Sequence, residues 1–183
     1  MGKRRAARES ALRVLFELEF NEAGLDAVLA RTAREDASPA EVRDYTGWLV
    51  RGVTGRRDEI DALIQGTSKH WRVARMGLID RNILRLAAFE LLEERLLAPA
   101  IIINEAIEIA KRYSGESSAD FVNGVLDAVR KTLEGAPPSE VNDHERPEQP
   151  SPKGTARRSG RGTKKRPGPR PRGQISKARR RGD

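Results

Sequence analysis

Apolar side chains recur at intervals of three and four along most of the chain, which is the period of amphipathic α-helices. In the opening segment KRRAARESALRVLF, the residues Leu12, Leu15 and Phe16 share one helical face. The same period predicts a short second helix from Asp26 to about Glu35. Both segments are therefore expected to bury one face against the rest of the protein.

Start and stop signals mark five further helices. Ser38 is predicted as a helix cap with Pro39 as the first helical residue, Pro99 opens another helix, and the last runs from a Ser117 cap to Gly135. The five segments are SPAEVRDYTGWLV, RRDEIDALI, LIDRNILRLAAFELLEERL, AIIINEAIEIAKRY and SSADFVNGVLDAVRKTLE. AIIIN, the one candidate strand, is short and continues into a helical pattern. The sequence thus predicts an all-α fold.

The composition changes abruptly at Ala136. Eight of the ten prolines follow it, among Ser, Gly and Arg, and hydrophobic residues nearly disappear. Such a segment cannot bury enough apolar surface to offset its ordering entropy. Residues 136–183 are therefore predicted to be a disordered Pro/Arg-rich tail, and residues 1–135 the folded domain.

The charge is divided unevenly between these two parts. Residues 1–135 hold 21 Lys and Arg against 22 Asp and Glu, a net charge of −1, whereas residues 136–183 hold 14 against 5, a net charge of +9. The basic character therefore belongs to the tail. The lack of cysteine excludes disulfides and favours a reducing, cytoplasmic location, and no apolar run approaches the ~20 residues of a membrane-spanning helix.

Motifs that would support catalysis are scarce. Neither His70 nor His144 has a second ligand type at a metal-binding spacing, and His70 is interpreted as a polar loop residue packed on Trp71. The segment GRGTKK lacks the strand before it and the helix after it that a phosphate-binding loop needs. The carboxylates follow charge patterns typical of solvated helix faces. We expect no catalysis, no cofactor and no metal.

Four cations crowd the start of the first helix: Lys3, Arg4, Arg5 and Arg8. A helix start carries unpaired N–H groups and the positive end of the macrodipole, so these cations are expected to be unfavourable there in the free protein. An anion that binds both the cations and the N–H groups would reverse this effect. The alternative is a solvated, frayed N-terminus.

Three segments together resemble the NusB family of bacterial transcription antitermination factors: RRAARESALRVLFE, RMGLIDRNILRLAAFELL and INEAIEIAKRYSGESSADFVNGVLDAV. The resemblance covers residues 3 to about 134, and the pair INEAIE and FVNGVLD, preceded by DRNILR, is its most specific part. It implies two small three-helix bundles packed together, and a role without catalysis.

The resemblance also implies partners. Family members bind NusE, a small-subunit ribosomal protein, and the heterodimer grips the boxA element of nascent RNA. The transcribing RNA polymerase complex, with other Nus factors, then reads through terminators in ribosomal RNA operons, and the same assembly assists ribosomal RNA maturation. Some members form a homodimer, so either state is left open for this chain.

For RNA binding, the resemblance points to the start of the chain. Arg4, Arg5 and Arg8, with Lys3 beside them, match the arginine-rich RNA-binding element, and Phe121 matches a phenylalanine near the RNA. A ring there can stack on an unpaired base, which is worth ~1–3 kcal/mol. Helical spacing alone predicts Phe121 in the core instead, and the sequence leaves both roles open.

For NusE binding, the resemblance points to Phe16, Phe20 and Asp80. The two phenylalanines lie four apart and project from one helical face, which also allows one of them to be core. Asp80 suits a basic partner because complementary charge aids encounter and specificity. Its alternatives are an ion pair with Arg81 on its own helix and a helix cap.

Four other residues are assigned lesser roles. Lys111 and Arg112 either extend the basic surface or are simply solvated at a helix end. Glu105 is expected to bind backbone or helix ends inside the bundle, and Gly124 to permit close helix packing.

The sequence offers two rival functions. A NusB-like domain of an RNA methyltransferase is disfavoured, because its catalytic α/β domain would require roughly two hundred further residues. A helical module whose basic tail binds nucleic acid without sequence preference is the remaining alternative.

Overall fold

A computed structural model describes residues 2–21, 24–35, 37–67, 72–94 and 96–135. These residues form seven α-helices and one short 3₁₀ helix, and none of them forms a strand, so the all-α prediction is confirmed. The α-helices are α1 (Lys3–Leu18), α2 (Leu25–Glu35), α3 (Ala40–Gly55), α4 (Arg57–Thr67), α5 (Leu78–Glu93), α6 (Pro99–Tyr113) and α7 (Glu116–Glu134). The predicted tail, 136–183, and the loop histidine His70 lie outside the described residues.

The helices form two groups around one hydrophobic core. In the first group α1 packs on α2 and α3, and in the second α5, α6 and α7 pack on one another. Helix α5 also contacts α1 and α3, so it joins the groups, and α4 packs against α5 and α7. The two predicted three-helix groups are thus present, with α4 as a seventh helix. Within the described ranges no helix is both long enough and apolar enough to cross a bilayer.

Two helices start one or two residues away from their predicted positions. Helix α3 begins after Pro39, which is the residue before its first helical residue, so Ser38 is not the cap. Helix α7 begins after Gly115, whose φ of 98° lies in the left-handed region that favours glycine. Ser117 is therefore inside α7, and the predicted serine cap is wrong there too. The Gly115 amide instead donates to the Ala110 carbonyl oxygen at 3.0 Å, which ends α6.

Gly52 of α3 lets the Phe89 ring of α5 pack directly against the α3 backbone. A Cβ atom built on Gly52 would lie 1.9 Å from Cζ of Phe89, a buried ring that also contacts the Trp48 ring at a centroid distance of 4.8 Å. Gly124 was predicted to serve close helix packing, but it is exposed, and nothing lies within 4 Å of a Cβ built on it. The packing role therefore belongs to Gly52.

We expect opposite stability effects from alanine at these two glycines. Gly52→Ala forces the Phe89 ring to move and should lower the free energy of unfolding by about 1–3 kcal/mol. Gly124→Ala, the matched control, adds a methyl group in open space and should raise that free energy by up to about 1 kcal/mol through helix propensity. Urea unfolding followed by far-UV circular dichroism checks both. Equal effects of the two substitutions would contradict the α3–α5 contact.

Candidate nucleic-acid and partner interface

The first turn of α1 presents its cations to carboxylates of other helices. Lys3 Nζ lies 2.5 Å from Oε2 of Glu41 on α3, and both side chains are exposed. Arg4 Nη1 lies 3.6 Å from Oε2 of Glu94, the residue that follows α5. The Arg4 guanidinium also lies over the Tyr45 ring, 5.3 Å from its centroid. Lys3 and Arg4 thus remain at the surface while contacting acids.

Arg5 forms a two-point ion pair with Glu105 of α6. Its Nε donates to Glu105 Oε2 at 2.7 Å, and its Nη2 donates to Oε1 at 2.8 Å. Hydrogen bonding from Arg5 lowers the pKa of Glu105 below its usual value, so this carboxylate stays ionised at neutral pH. A guanidinium has five N–H donors, and the pair uses two of them, so the remaining donors of the half-exposed Arg5 can reach another acceptor.

Arg8 is buried, with an exposed fraction of 4%. Its Nε and Nη2 each donate to one oxygen of Glu90 on α5 at 2.7 Å, and the Tyr45 hydroxyl of α3 donates to Glu90 Oε1 at 2.5 Å. Burial, followed by the Glu90 carboxylate, raises the pKa of Tyr45 above its usual value, which keeps this hydroxyl a donor. The prediction that Arg8 binds RNA directly does not fit this position, because its charge faces the protein interior.

The sequence predicts that the four cations are unfavourable in the free chain. The structure corrects this, because each cation contacts a carboxylate. Helix α1 has no acidic residue in its first turn and no side-chain cap, since Gly2 precedes it. The compensating carboxylates come instead from α3, from the α5 end and from α6, between 38 and 100 residues away along the chain. A local reading of the sequence could not find them, because only the fold brings them together.

Further exposed cations lie along the seam where α1 packs against α6, next to Lys3, Arg4 and Arg5 at the start of α1. Arg112 Nη1 lies 2.9 Å from Oε1 of Glu9, and the Tyr113 hydroxyl donates to the same carboxylate at 3.0 Å. Arg112 is 59% exposed at its side chain, and the neighbouring Arg13 is exposed as well. Lys111 lies 3.6 Å from Glu108 Oε1 on its own helix. Lys111 and Arg112 are therefore paired with acids yet accessible.

Phe121 lies near the start of α7 and is half-buried. Its ring packs against the edge of the hydrophobic core, in keeping with its helical spacing. Part of the ring still reaches the surface, so the structure does not enclose it as a core residue.

Two aromatic rings project from the end of α1. Phe16 is 40% exposed and Phe20 is 68% exposed, and their ring centroids lie 5.2 Å apart. Neither ring belongs to the core, which removes the packing alternative for this pair. Large apolar groups left exposed side by side are typical of a surface that another molecule covers.

Asp80 is half-buried at the start of α5. The Ser118 hydroxyl of α7 donates to Asp80 Oδ2 at 3.1 Å, while Oδ1 is buried and has no hydrogen-bond partner. Arg81 does not pair with Asp80; its Nη2 lies 3.3 Å from Oε2 of Glu19. The predicted alternative of an intrahelical ion pair is therefore wrong. Ser118 and Phe121 are three residues apart on α7, so Asp80 lies within one helical turn of the aromatic ring.

These features define an all-helical binding protein, with exposed cations at the start of α1 and exposed aromatic rings at its end. The chain belongs to the NusB family, whose sequence model matches residues 5–131. Members of this family are non-catalytic transcription antitermination factors, and this chain is one of them.

Individual relatives agree with this assignment. The transcription antitermination protein NusB of Desulforapulum autotrophicum is 42% identical over 132 residues, which span 71% of this chain and 92% of the relative. T. maritima NusB superposes with a TM-score of 0.65 at 37% identity, over 70% of this chain and 90% of that one. A crystal structure of the antitermination factors NusB and NusE in complex with dsRNA matches with a TM-score of 0.65 at 28% identity, over 72% of this chain and 98% of that one.

We expect Arg8→Met to lower the free energy of unfolding by about 3–5 kcal/mol, because it leaves the Glu90 carboxylate buried without its cation. The double variant Arg8→Met with Glu90→Met removes both charges and should recover most of this loss, apart from the hydrogen bond that Tyr45 then lacks. Urea unfolding of both variants measures the difference. A loss below about 1 kcal/mol for the single variant would show that the pair does not hold α1 in place.

Proposed function

We propose that this chain binds boxA RNA together with NusE, and that it thereby supports read-through and ribosomal RNA maturation in ribosomal RNA operons. The observation that carries the proposal is the surface at the start of α1, where Lys3, Arg4 and Arg5 surround an uncapped helix end. Similarity to a NusB–NusE–dsRNA complex supports the same role. The chain would act in the cytoplasm, as part of the RNA polymerase complex with other Nus factors.

The start of α1 offers two kinds of group that bind phosphate. The backbone N–H groups of the first turn point out of the helix and attract anions, and the macrodipole adds to this attraction. The side chains of Lys3, Arg4 and Arg5 add positive charge at the same place, since all three keep about a third or more of their surface exposed. Phosphate binding there should release counterions, so affinity falls as salt rises.

Arg8 has an indirect role in this proposal. Its buried pair with Glu90 fixes α1 against α5 and thereby holds the first turn, with Lys3, Arg4 and Arg5, in place. Phe121 completes the surface, since the exposed part of its ring can stack on an unpaired base. Lys111 and Arg112 extend the basic surface from the α1–α6 seam toward α7.

NusE is proposed to cover the exposed rings at the end of α1. Phe16 and Phe20 supply apolar area at low conformational cost, which is the property of aromatic residues that dominate binding energy at interfaces. Asp80 adds a negative charge for a basic ribosomal protein, and Ser118 holds its carboxylate in place. The cations proposed for RNA and the rings proposed for NusE then lie at opposite ends of α1, while Phe121 and Asp80 lie about one helical turn apart.

We expect the triple variant Lys3→Gln, Arg4→Gln and Arg5→Gln to bind boxA RNA on the order of 10- to 100-fold more weakly at ~0.1 M salt. The slope of log affinity against log salt should shrink by about two, since three phosphate contacts to single-stranded RNA are lost. Fluorescence anisotropy with boxA and a scrambled RNA, with NusE present, measures both quantities.

Two controls make this RNA experiment decisive. A matched variant removes three cations elsewhere on the described surface, Arg34→Gln, Arg51→Gln and Arg130→Gln, and should keep its preference for boxA. A chain ending at residue 135 tests the tail. If that chain no longer binds RNA and the scrambled sequence competes equally in the full chain, the rival function of unspecific binding through the tail is correct.

We expect Phe16→Ala and Phe20→Ala together to weaken NusE binding by at least about 30-fold, since each removes a ring of the kind that forms interface hot spots. The free energy of unfolding should hardly change, because both rings are exposed.

Asp80→Asn keeps the Ser118 hydrogen bond and should mainly slow association with NusE and reduce the salt dependence of that association. Isothermal titration and stopped-flow mixing with NusE supply these numbers. Ile101→Ala, which trims another exposed apolar side chain, is the control that should leave binding intact.

A further inference from the structure

A cationic cavity of about 480 Å³ lies beside the end of α1. Helix α4 contributes Arg57 and Asp61 to its wall, and α5 contributes Arg81 and Arg85. The short 3₁₀ helix Val73–Arg75 forms another part of the wall. None of the cations in this wall takes part in the RNA surface described above.

One carboxylate is shared by all three arginines of the cavity. Oε1 of Glu19, just after α1, lies 3.0 Å from Arg57 Nη2 and 3.0 Å from Arg85 Nη1. Oε2 of Glu19 lies 3.3 Å from Arg81 Nη2. Asp61 pairs with Arg85 alone, through two hydrogen bonds of 2.7 Å. Three guanidinium groups thus face two carboxylates, which leaves the cluster with a net charge of +1.

Arg81 has unused hydrogen-bonding capacity in this cluster. Its side chain is only 12% exposed, and its Nε is buried and has no hydrogen-bond partner. A buried donor without an acceptor is costly, and a guanidinium binds a planar carboxylate through two parallel N–H groups. The Arg81 Nε itself is closed to solvent, so the single excess charge and the room in the cavity are what fit one added carboxylate.

We propose that this cavity binds a carboxylate side chain of the protein that covers Phe16 and Phe20. The inference rests on the proposed function, in which that protein is NusE. Glu19, which lies at the centre of the arginines, immediately precedes the exposed Phe20, so the cavity adjoins the aromatic surface. Asp80 and Arg81 are neighbours as well, so the interface presents one acid and one cationic cavity to its partner. A partner segment must then match both charges, which adds specificity.

An RNA phosphate suits the cavity less well. The cations proposed for RNA lie at the start of α1, and Glu19 is sixteen positions after Lys3, which corresponds to about 24 Å along the helix. Binding of the same arginine variants to NusE and to boxA RNA distinguishes a protein ligand of the cavity from an RNA ligand.

Arg57→Gln and Arg81→Gln, made singly in the full chain, test the proposal by isothermal titration with NusE. We expect each to weaken binding at least tenfold. Arg57 is half-exposed, so its substitution should leave the fold intact, which far-UV circular dichroism verifies. Arg130→Gln is the matched control, since its ion pairs are with Asp127 and Glu134 on its own helix, and it should bind NusE normally.

A double-mutant cycle identifies the carboxylate. Asp→Asn or Glu→Gln substitutions in NusE are combined with wild-type chain and with Arg57→Gln, and the substitution at the matching acid should weaken only the wild-type complex. No coupling at any acid, with both arginine variants binding NusE normally, would overturn the inference while the proposed function stands.

Two other outcomes would also overturn the proposal that the cavity binds a carboxylate of NusE. If the arginine variants lose affinity for boxA RNA alone and keep that for NusE, the cavity is a phosphate site. If the wild-type chain itself does not bind NusE, the proposed function fails, and the assigned source of the carboxylate fails with it.

Discussion

The buried ion pair between Arg8 and Glu90 is the contact on which the arrangement of the helices depends. It joins α1 to α5, and the Tyr45 hydroxyl brings α3 to the same carboxylate. Both charges are almost fully withdrawn from water, so neither can lose its partner without a large cost in stability. Because α1 is one continuous helix, this single pair orients the cations at its start and the aromatic rings at its end.

Helix positions could be predicted from the sequence because they follow from local rules. Apolar period, proline and glycine located all seven helices, with the start wrong by one residue where Ser38 looked like a cap and by two where Ser117 did. Contacts between helices were beyond such rules. Arg8 looked like one more surface cation, and only the fold places Glu90 opposite it, 82 residues away. The same limit explains why Gly124 was mistaken for the packing glycine instead of Gly52.

Acids opposite the surface cations suggest how the chain could distinguish its ligands. Glu41 and Glu105 each contact a cation at the start of α1, so a phosphate arriving there meets side chains that are already oriented but partly neutralised. The carboxylates thereby reduce the attraction of the chain for any nucleic-acid backbone. An RNA that also makes base contacts still binds more tightly than one that does not. The arginine cavity shows the same design, with its excess charge held to one unit by Glu19 and Asp61.

The exposed ring pair of Phe16 and Phe20 has a consequence for the chain in the cell. Copies of the chain can associate through such an apolar patch. The chain therefore stays soluble when its concentration is low or when another molecule covers the patch. Its colloidal behaviour is therefore set by stoichiometry, that is, by how many covering molecules are made for each chain. Synthesis of the two in a fixed ratio would protect the chain from self-association as effectively as any change in its own sequence.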